Sequence, residues 1–356
     1  MAAPVTEEEQ DEVWSARDTT PSAIEAALRT LIATRHRASG AVAPARVLNL
    51  VVICDHAFRG EIENRLTRVG RFHPSRTILC AVEAKRTTID AWASMATERM
   101  GELSVARERV EVDIGDRHLA TLQTIVAPLV LSDLATLVWA PHGHAAGEDS
   151  LREMAQSVLV DSLDDDVEPA LERVATLLED LYVVDLAWLR TTPWRERVAA
   201  AFDPPEFREE LRNISALCVR HREDSIASAA LFAGWLASRL DWKPSHLMRR
   251  KGDLVGRAAS RRGDVQITLA PVEQLSAPGL AGVTIESASG ASVALDRAPG
   301  GLREVRRARD GGCSAFTVLG ASRGEGGILG EGVRQALLRD RTYTPALRAA
   351  RALVSR

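Results

Sequence analysis

A strand–helix–strand pattern near the N-terminus constrains the fold more than any other feature of this 356-residue sequence. Residues 47–53, VLNLVVI, form an apolar run interrupted only by Asn49, and their β-branched content predicts a buried strand. A helical pattern of apolar residues follows over 62–69, and residues 77–82 predict a second strand. Two strands joined by a helix at this spacing predict a right-handed parallel crossover.

The rest of the N-terminal half extends this crossover into a sheet. Further strands are predicted at 109–114, 136–140 and 157–160, with helical patterns between them. We therefore expect an α/β fold in which residues 21–163 form an open, doubly wound, Rossmann-like sheet. Residues 1–20 contain five carboxylates before the first basic residue, so we expect a mobile acidic tail there.

The C-terminal half has a different pattern. Three aspartates at 164–166 precede a predicted helix. A carboxylate at a helix N-terminus stabilises the helix by about 0.3–1 kcal/mol through its interaction with the helix dipole. We interpret them as a domain boundary and not as a metal site. Alternating apolar residues at 265–269, 283–287 and 292–295, separated by glycine and serine turns, predict antiparallel strands. Residues 164–356 are therefore expected to form a mixed α+β domain.

Charge and composition exclude several classes of function. A net charge of −4 provides no basic field for nucleic acid, and no run approaches the roughly 20 apolar residues of a membrane span. The four cysteines, Cys54, Cys80, Cys218 and Cys313, are far apart and form no Cys-x-x-Cys pair, which is typical of a reducing compartment. With no signal-peptide pattern, we expect a cytoplasmic protein that binds neither nucleic acid nor membrane.

The segment from Leu181 to Pro205 combines tryptophan and arginine at a strand-to-helix joint. The pattern predicts a strand ending at Leu189, then a helix capped by Thr192 with Pro193 at its first position. Such a joint offers no nucleophile with an adjacent base, so it favours recognition over catalysis. A partner-binding surface is predicted from Trp188, Arg190, Thr192, Trp194 and Arg195. The alternative is a structural corner with both tryptophans in the core.

Three other clusters contain residue types that can carry out chemistry. Cys54-Asp55-His56 ends the first strand, where doubly wound sheets bind ligands, but the turn DHAFRG lacks the glycines of a dinucleotide site. We therefore predict a scaffold without a catalytic residue or cofactor. His142 and His144 are separated by one residue and have no third ligand in the sequence pattern, so no metal is predicted.

The third cluster is a predicted anion site. Ser75 and Arg76 precede the second strand, and a glycine-rich loop is predicted at 324–332 between a strand and a helix. A hydroxyl beside a guanidinium, or a cradle of backbone amides, can hold an anion. The candidate residues for this site are Ser75, Arg76, Gly326, Gly327 and Arg334. They support an alternative function as a sugar-phosphate or nucleotide-binding sensor or enzyme.

Several long segments resemble one protein family. DLAWLRTTPWRE, within 181–205, is similar to the signature segment of the OpcA family, the glucose-6-phosphate dehydrogenase assembly proteins. The other similar segments, in the same order along the chain, are VLNLVVICD at 47–55, RFHPSRTILCAVEA at 71–84, LVLSDLATLVWAP at 129–141 and GEGVRQALLRDRTYTPAL at 330–347.

This resemblance implies a function without catalysis. It implies an assembly factor and allosteric activator that contacts glucose-6-phosphate dehydrogenase directly, in the oxidative pentose phosphate pathway. The dehydrogenase is then the expected protein partner, and no cofactor is expected.

Overall fold

The computed structural model describes residues 12–39, 46–70, 74–100, 103–320 and 324–355. Two compact units divide the chain: one contains the residues up to Val160 together with Leu181–Val184, and the other contains Asp161–Asp180 and Asp185–Arg356. The predicted domain boundary lies after residue 163. In the structure the first unit ends at Val160, and it also contains residues 181–184, which had been assigned to the second domain.

The first unit is built on one eight-stranded sheet. Its strands and helices, in chain order, are β1 (Glu12–Ala16), α1 (Pro21–Ser39), β2 (Leu48–Asp55), α2 (Arg59–Gly70), β3 (Ser75–Val82), β4 (Asp90–Met100), β5 (Leu103–Ile114), α3 (Leu122–Val126), β6 (Thr136–Trp139), α4 (Ala145–Leu151) and β7 (Ser157–Val160). After α5 (Val167–Leu177), which belongs to the second unit, β8 (Tyr182–Asp185) completes the sheet.

The strand order of this sheet is β1-β4-β5-β3-β2-β6-β7-β8. Strands β5, β3, β2, β6 and β7 pair in parallel, so the predicted Rossmann-like architecture is confirmed. From β2 the chain adds β3 and β5 on one side, and it then adds β6 and β7 on the other side of β2. The topological switch point therefore lies at the carboxyl ends of β2 and β6. Their apolar runs are buried because the sheet interior excludes water on both faces.

Strand β1 corrects one prediction. The mobile acidic tail was expected to reach residue 20, but residues 12–16 pair antiparallel with β4, with Trp14 opposite Ala93. The tail prediction is therefore wrong for 12–16, because Val13 and Trp14 supply a strand pattern that the preceding carboxylates obscured. Residues 1–11 lie outside the described residues. Strand β4 itself was not predicted.

The second unit is a nine-stranded mixed sheet with helices. Its remaining elements are α6 (Leu186–Leu189), α7 (Thr192–Ala201), α8 (Pro205–Arg208), β9 (Ile214–Arg222), α9 (Ile226–Arg239), β10 (Lys243–Pro244), β11 (Met248–Arg250), β12 (Asp253–Ser260), β13 (Gly263–Val272), β14 (Leu280–Ser287), β15 (Ser292–Ala298), β16 (Gly301–Arg307), β17 (Cys313–Leu319), α10 (Gly324–Gln335) and α11 (Tyr343–Val354).

The strand order of this second sheet is β10-β12-β13-β9-β14-β15-β16-β17, with β11 also paired to β12. The predicted strands at 283–287 and 292–295 pair antiparallel as β14 and β15, and β16 and β17 continue this meander. The predicted strand at 265–269 lies outside it, because β13 pairs in parallel with β9 and antiparallel with β12. Helices α9 and α11 pack closely because Gly234 has no side chain: a Cβ there would lie 2.3 Å from the carbonyl oxygen of Ala346. Among the described residues, no helix combines the length and apolarity needed to cross a bilayer.

Candidate functional site

The predicted joint begins at Asp185, and it turns earlier than expected. The Asp185 carboxylate accepts a hydrogen bond from the backbone N–H of Ala187 at 2.9 Å, which caps α6. The predicted strand through Leu189 is therefore wrong after residue 185, because this cap starts a helix inside an otherwise apolar run. The hydroxyls of Ser162 and Tyr343 also donate to the same carboxylate at 2.7 and 2.8 Å.

Asp185 is almost fully buried, with 1% of its surface exposed. Burial raises the pKa of this carboxyl, and the nearby charge of Asp161 raises it further, whereas the bonds from Ser162 and Tyr343 oppose the shift. A buried acid held by three elements fixes the geometry of the joint.

Trp188 lies at the centre of the joint. Its side chain is buried, and its Nε1–H donates to Asp340 at 2.9 Å. The guanidinium of Arg195 covers one ring face at 3.5 Å, and the ring of Tyr343 lies 5.4 Å away. Burial alone would raise the pKa of Asp340, but hydrogen bonds from Thr342 and Trp188 and the charge of Arg195 lower it, so it accepts as a carboxylate.

Arg190 connects three separate parts of the second unit. Its guanidinium donates to both oxygens of Asp161 at 2.8 and 2.7 Å, and to both oxygens of Glu325 at 3.1 and 2.7 Å. Burial alone would lower the pKa of Arg190, but its bonds to Glu325 and Asp161 outweigh that effect and raise it. The arginine is thus permanently charged and fully engaged.

Helix α7 follows directly and begins one residue earlier than predicted. Thr191 occupies the N-cap position and Thr192 the first turn, where its hydroxyl accepts a hydrogen bond from Arg195 at 2.9 Å. Trp194, Val198 and Phe202 recur at i, i+4 and i+8, and all three are buried, so they form the apolar edge of this helix. Burial lowers the pKa of Arg195 to about 10, which leaves it charged at neutral pH.

These contacts correct the predicted partner-binding surface. Trp188 and Trp194 are each 2% exposed, so their side chains belong to the core and do not form an open surface. The alternative interpretation, a structural corner, matches this burial. Arg190, Thr192 and Arg195 are partly accessible, and their contact with a partner stays a prediction.

The joint borders a cavity of about 380 Å³ inside the second unit. Its walls include Arg190, Trp194, Pro278, Arg297, Glu325 and Ile328. Arg297 donates to the carbonyl oxygens of Leu280 and Pro278 at 2.6 and 2.9 Å. The fold thus brings two predicted partner-binding residues next to the start of the glycine-rich segment.

That glycine-rich segment is helical, so the predicted loop at 324–332 is wrong. Gly326 and Gly327 lie in the first turn of α10. Glycine costs about 1 kcal/mol per position in a helix interior, and burial of Ile328, Leu329 and Val333 offsets this cost. Arg334 lies two residues after the segment and is paired with Glu331.

The other candidate anion-binding residues, Ser75 and Arg76, lie in the first unit. Arg76 is 6% exposed, and it donates to Glu108 at 2.7 Å and to the carbonyl oxygen of Leu129 at 2.9 Å. Ser75 lies beside Thr77 in the same strand. The anion site stays a prediction, and Arg76 has its guanidinium already engaged by protein groups.

At the switch point of the first unit, the motif Cys54-Asp55-His56 lies next to the histidine pair His142 and His144, although the two are far apart in the sequence. The backbone N–H of Asp55 donates to Nδ1 of His142 at 3.2 Å, and Nε2 of His144 lies 3.0 Å from the Asp55 carboxylate. Burial lowers the pKa of His142, although the charge of Asp55 opposes this shift. The ring of Phe58 lies 4.7 Å from the ring of His142.

The chemistry of this switch point is limited. Burial raises the pKa of Cys54 to about 12, so the thiol stays protonated and is a poor nucleophile. In the described ranges of the chain, no three His, Cys, Asp or Glu side chains are grouped to hold a metal ion. The glycine-rich turn that a dinucleotide needs is absent from the sequence at this point.

Sequence reasoning missed the acidic and phenolic partners of the joint. Asp340 and Tyr343 lie in the segment 330–347, and they contact Trp188 and Asp185 of the segment 181–205. Both segments resemble the OpcA family, and this shared similarity is the one sequence signal that could have indicated the contact.

Comparisons with known proteins cover most of the chain. Residues 67–176 match a family model described as the glucose-6-phosphate dehydrogenase subunit N-terminal domain, OpcA_G6PD_assem. Residues 181–347 match a second one described as the corresponding C-terminal domain, OpcA_G6PD_C.

Curated relatives agree with these models. A protein of Synechococcus elongatus, provisionally named OxPP cycle protein OpcA, is 29% identical over 161 residues, which are 44% of this chain and 36% of the relative. Its counterpart in Nostoc punctiforme is 32% identical over 134 residues, 36% of this chain and 29% of the relative. The aligned region therefore spans about a third of the length of these relatives.

Among solved structures, an oxidoreductase from Sinorhizobium meliloti aligns with 86% of this chain and 95% of its own, with a TM-score of 0.49 and 11% identity. No conclusion about activity follows from a similarity at this level. The two domain models, which together match more than half of the chain, show that the chain belongs to the OpcA family.

Proposed function

We propose that this protein is a non-catalytic assembly factor and allosteric activator of glucose-6-phosphate dehydrogenase, and that it acts by direct contact in the cytosol. The observation that carries the proposal is the match of both halves of the chain to domains described as parts of a glucose-6-phosphate dehydrogenase subunit. The relatives named for the OxPP cycle support the same pathway.

The chemistry of the two units supports a role in binding. Cys54 is kept protonated at the switch point, and the arginines of the joint are engaged by carboxylates. A protein with such sites can act by preferring one state of its partner. A 100-fold preference for the active dehydrogenase corresponds to about 2.7 kcal/mol, which a small number of well-packed contacts supplies.

The joint has a defined role in this proposal. Because Trp188 and Trp194 are buried, we assign them to support and not to direct contact. Trp194 anchors α7 in the core and lines the cavity beside the start of α10, and Glu196 and Gly324 on these two helices are exposed. The proposed contact therefore depends on the rigidity of the joint.

The decisive experiment combines two measurements on the same sample. The purified chain is mixed with the dehydrogenase of the same organism, and the mass of the complex is measured by light scattering while initial rates are recorded over a range of glucose 6-phosphate concentrations. We expect a complex and a raised kcat/KM. The proposal is refuted if saturating amounts of the chain leave the dehydrogenase kinetics unchanged. It is also refuted if the chain alone turns over glucose 6-phosphate.

A further inference from the structure

Strand β17 forms one edge of the nine-stranded sheet. Within the part of the chain that the structure describes, it pairs with β16 on one side and with no strand on the other. Its sequence, CSAFTVL, contains no charge and no proline. Six of its seven residues are exposed, including Phe316 at 42% and Leu319 at 75%. A long, uncharged, exposed edge of this kind is a template for pairing with another strand.

The opposite edge of the same sheet is built differently. There, β10 has two residues, Lys243 and Pro244, and β11 has three, of which two are Arg249 and Arg250. Short length, proline and positive charge are the features by which proteins block pairing at an edge. One edge of the sheet is therefore protected against pairing with another strand, whereas the edge at β17 is not. This difference indicates that β17 has a partner strand.

The hydrogen-bond pattern shows which groups of β17 are available. The N–H of Gly320 donates to the carbonyl of Gly300 at 2.8 Å, and the N–H of Ala308 donates to the carbonyl of Gly312 at 2.8 Å. Antiparallel pairs alternate between hydrogen-bonded and non-hydrogen-bonded positions, so the even-numbered residues of β17 bond to β16. The residues that direct N–H and C=O groups towards the free edge are Cys313, Ala315, Thr317 and Leu319.

We propose that β17 pairs antiparallel with β17 of a second copy of this chain, about a two-fold axis at Phe316. In that register Cys313 lies opposite the partner's Leu319, and Ala315 opposite the partner's Thr317. Every outward-facing residue of both copies then finds a hydrogen-bonding partner.

Charge and symmetry both favour this occupant. Because the strand is uncharged, the two-fold axis places no like charges opposite each other. Phe316 and the partner's Phe316 form a non-hydrogen-bonded pair with Cα atoms about 4.5 Å apart, the spacing at which side chains contact most closely. The contact is isologous, so it closes as a dimer and does not propagate into a fibre. This inference does not depend on the proposed function.

Cysteine trapping on the full chain tests the register. In a Cys313→Ser background, we expect Phe316→Cys to form an intermolecular disulfide under mild oxidation, because about 4.5 Å lies within the Cα range of disulfides. Thr317→Cys is the matched control: it is exposed on the same strand, but its Cα lies about 8 Å from the partner's Thr317, beyond disulfide reach. Cross-linking of Thr317→Cys as fast as that of Phe316→Cys would contradict the proposal.

The solution state gives an independent readout. Light scattering over a range of concentrations is expected to show a dimer for the natural chain and a monomer for Thr317→Pro, which removes one outward N–H without touching the bonds to β16. Unchanged circular dichroism confirms that the variant is folded. A natural chain that is monomeric throughout overturns the proposal. So does a variant that stays dimeric, or one that loses only its complex with the dehydrogenase.

Discussion

The joint of the second unit and the switch point of the first unit differ in how their polar groups are used. At the joint, the buried carboxylate of Asp185 accepts hydrogen bonds from Ser162, Ala187 and Tyr343, and the guanidinium of Arg190 donates to Asp161 and Glu325. At the switch point, Asp55 and His142 share one bond of 3.2 Å, and Phe58 beside them is 46% exposed. The place where this fold class usually binds ligands is loosely connected, whereas the joint is tightly held.

This difference indicates which side chains the geometry and stability of the molecule depend on. Tightly interlocked buried groups hold a geometry, and their loss propagates through every element that they join. Loosely connected groups at an exposed edge contribute little to stability. If the proposed function is correct, activity as a partner should follow the joint and not the switch point. Three predictions test this contrast.

The largest effect is expected from Trp188→Ala. Truncating a buried tryptophan costs about 3–5 kcal/mol in free energy of unfolding, because a cavity remains and packing is lost. Hydrogen–deuterium exchange should rise in peptides of α6, α7 and α11, and the midpoint of urea unfolding should fall. Trp188→Phe is the matched control, since it keeps a ring under Arg195 and loses the bond to Asp340, worth about 1.5–3 kcal/mol for a charged acceptor. Equal exchange in both variants would show that packing around Trp188 is not what holds the joint.

A smaller effect is expected from Arg190→Ala. Breaking a buried ion pair costs about 3–5 kcal/mol, and we expect about 2–3 kcal/mol here because the Glu325 side chain is 52% exposed and regains water. Glu325→Gln, which leaves the Asp161 pair intact, should cost at most about 1 kcal/mol. Urea unfolding of both variants, followed by exchange at the start of α10, checks the order. A larger loss for Glu325→Gln than for Arg190→Ala would reverse the assignment.

The same contrast explains what could be predicted from sequence. The parallel strands followed from local apolar runs, because burial on both faces leaves a continuous signature. The partners of Arg190 did not, since Glu325 is 135 residues away and any of 49 acidic residues was available. Helix α10 was mistaken for a loop because its glycines dominate the pattern, whereas long-range packing of Ile328 and Leu329 decides its structure. Local patterns therefore predicted the parallel strands, but neither α10 nor the contacts that join the elements.

The smallest effect is expected at the switch point, from His142→Ala and His144→Ala. His142 forms one hydrogen bond of 3.2 Å and an open ring contact, and His144 lies near a half-exposed carboxylate, so each change should cost at most about 1 kcal/mol. Activation of the dehydrogenase should be unchanged at a saturating amount of either variant, measured beside Trp188→Phe as a folded variant of the joint. If a histidine variant abolishes activation while its unfolding curve matches that of the natural chain, the switch point carries the function. The Rossmann-like unit would then be a ligand-binding site that works without a dinucleotide turn, and the joint would only hold the second unit together.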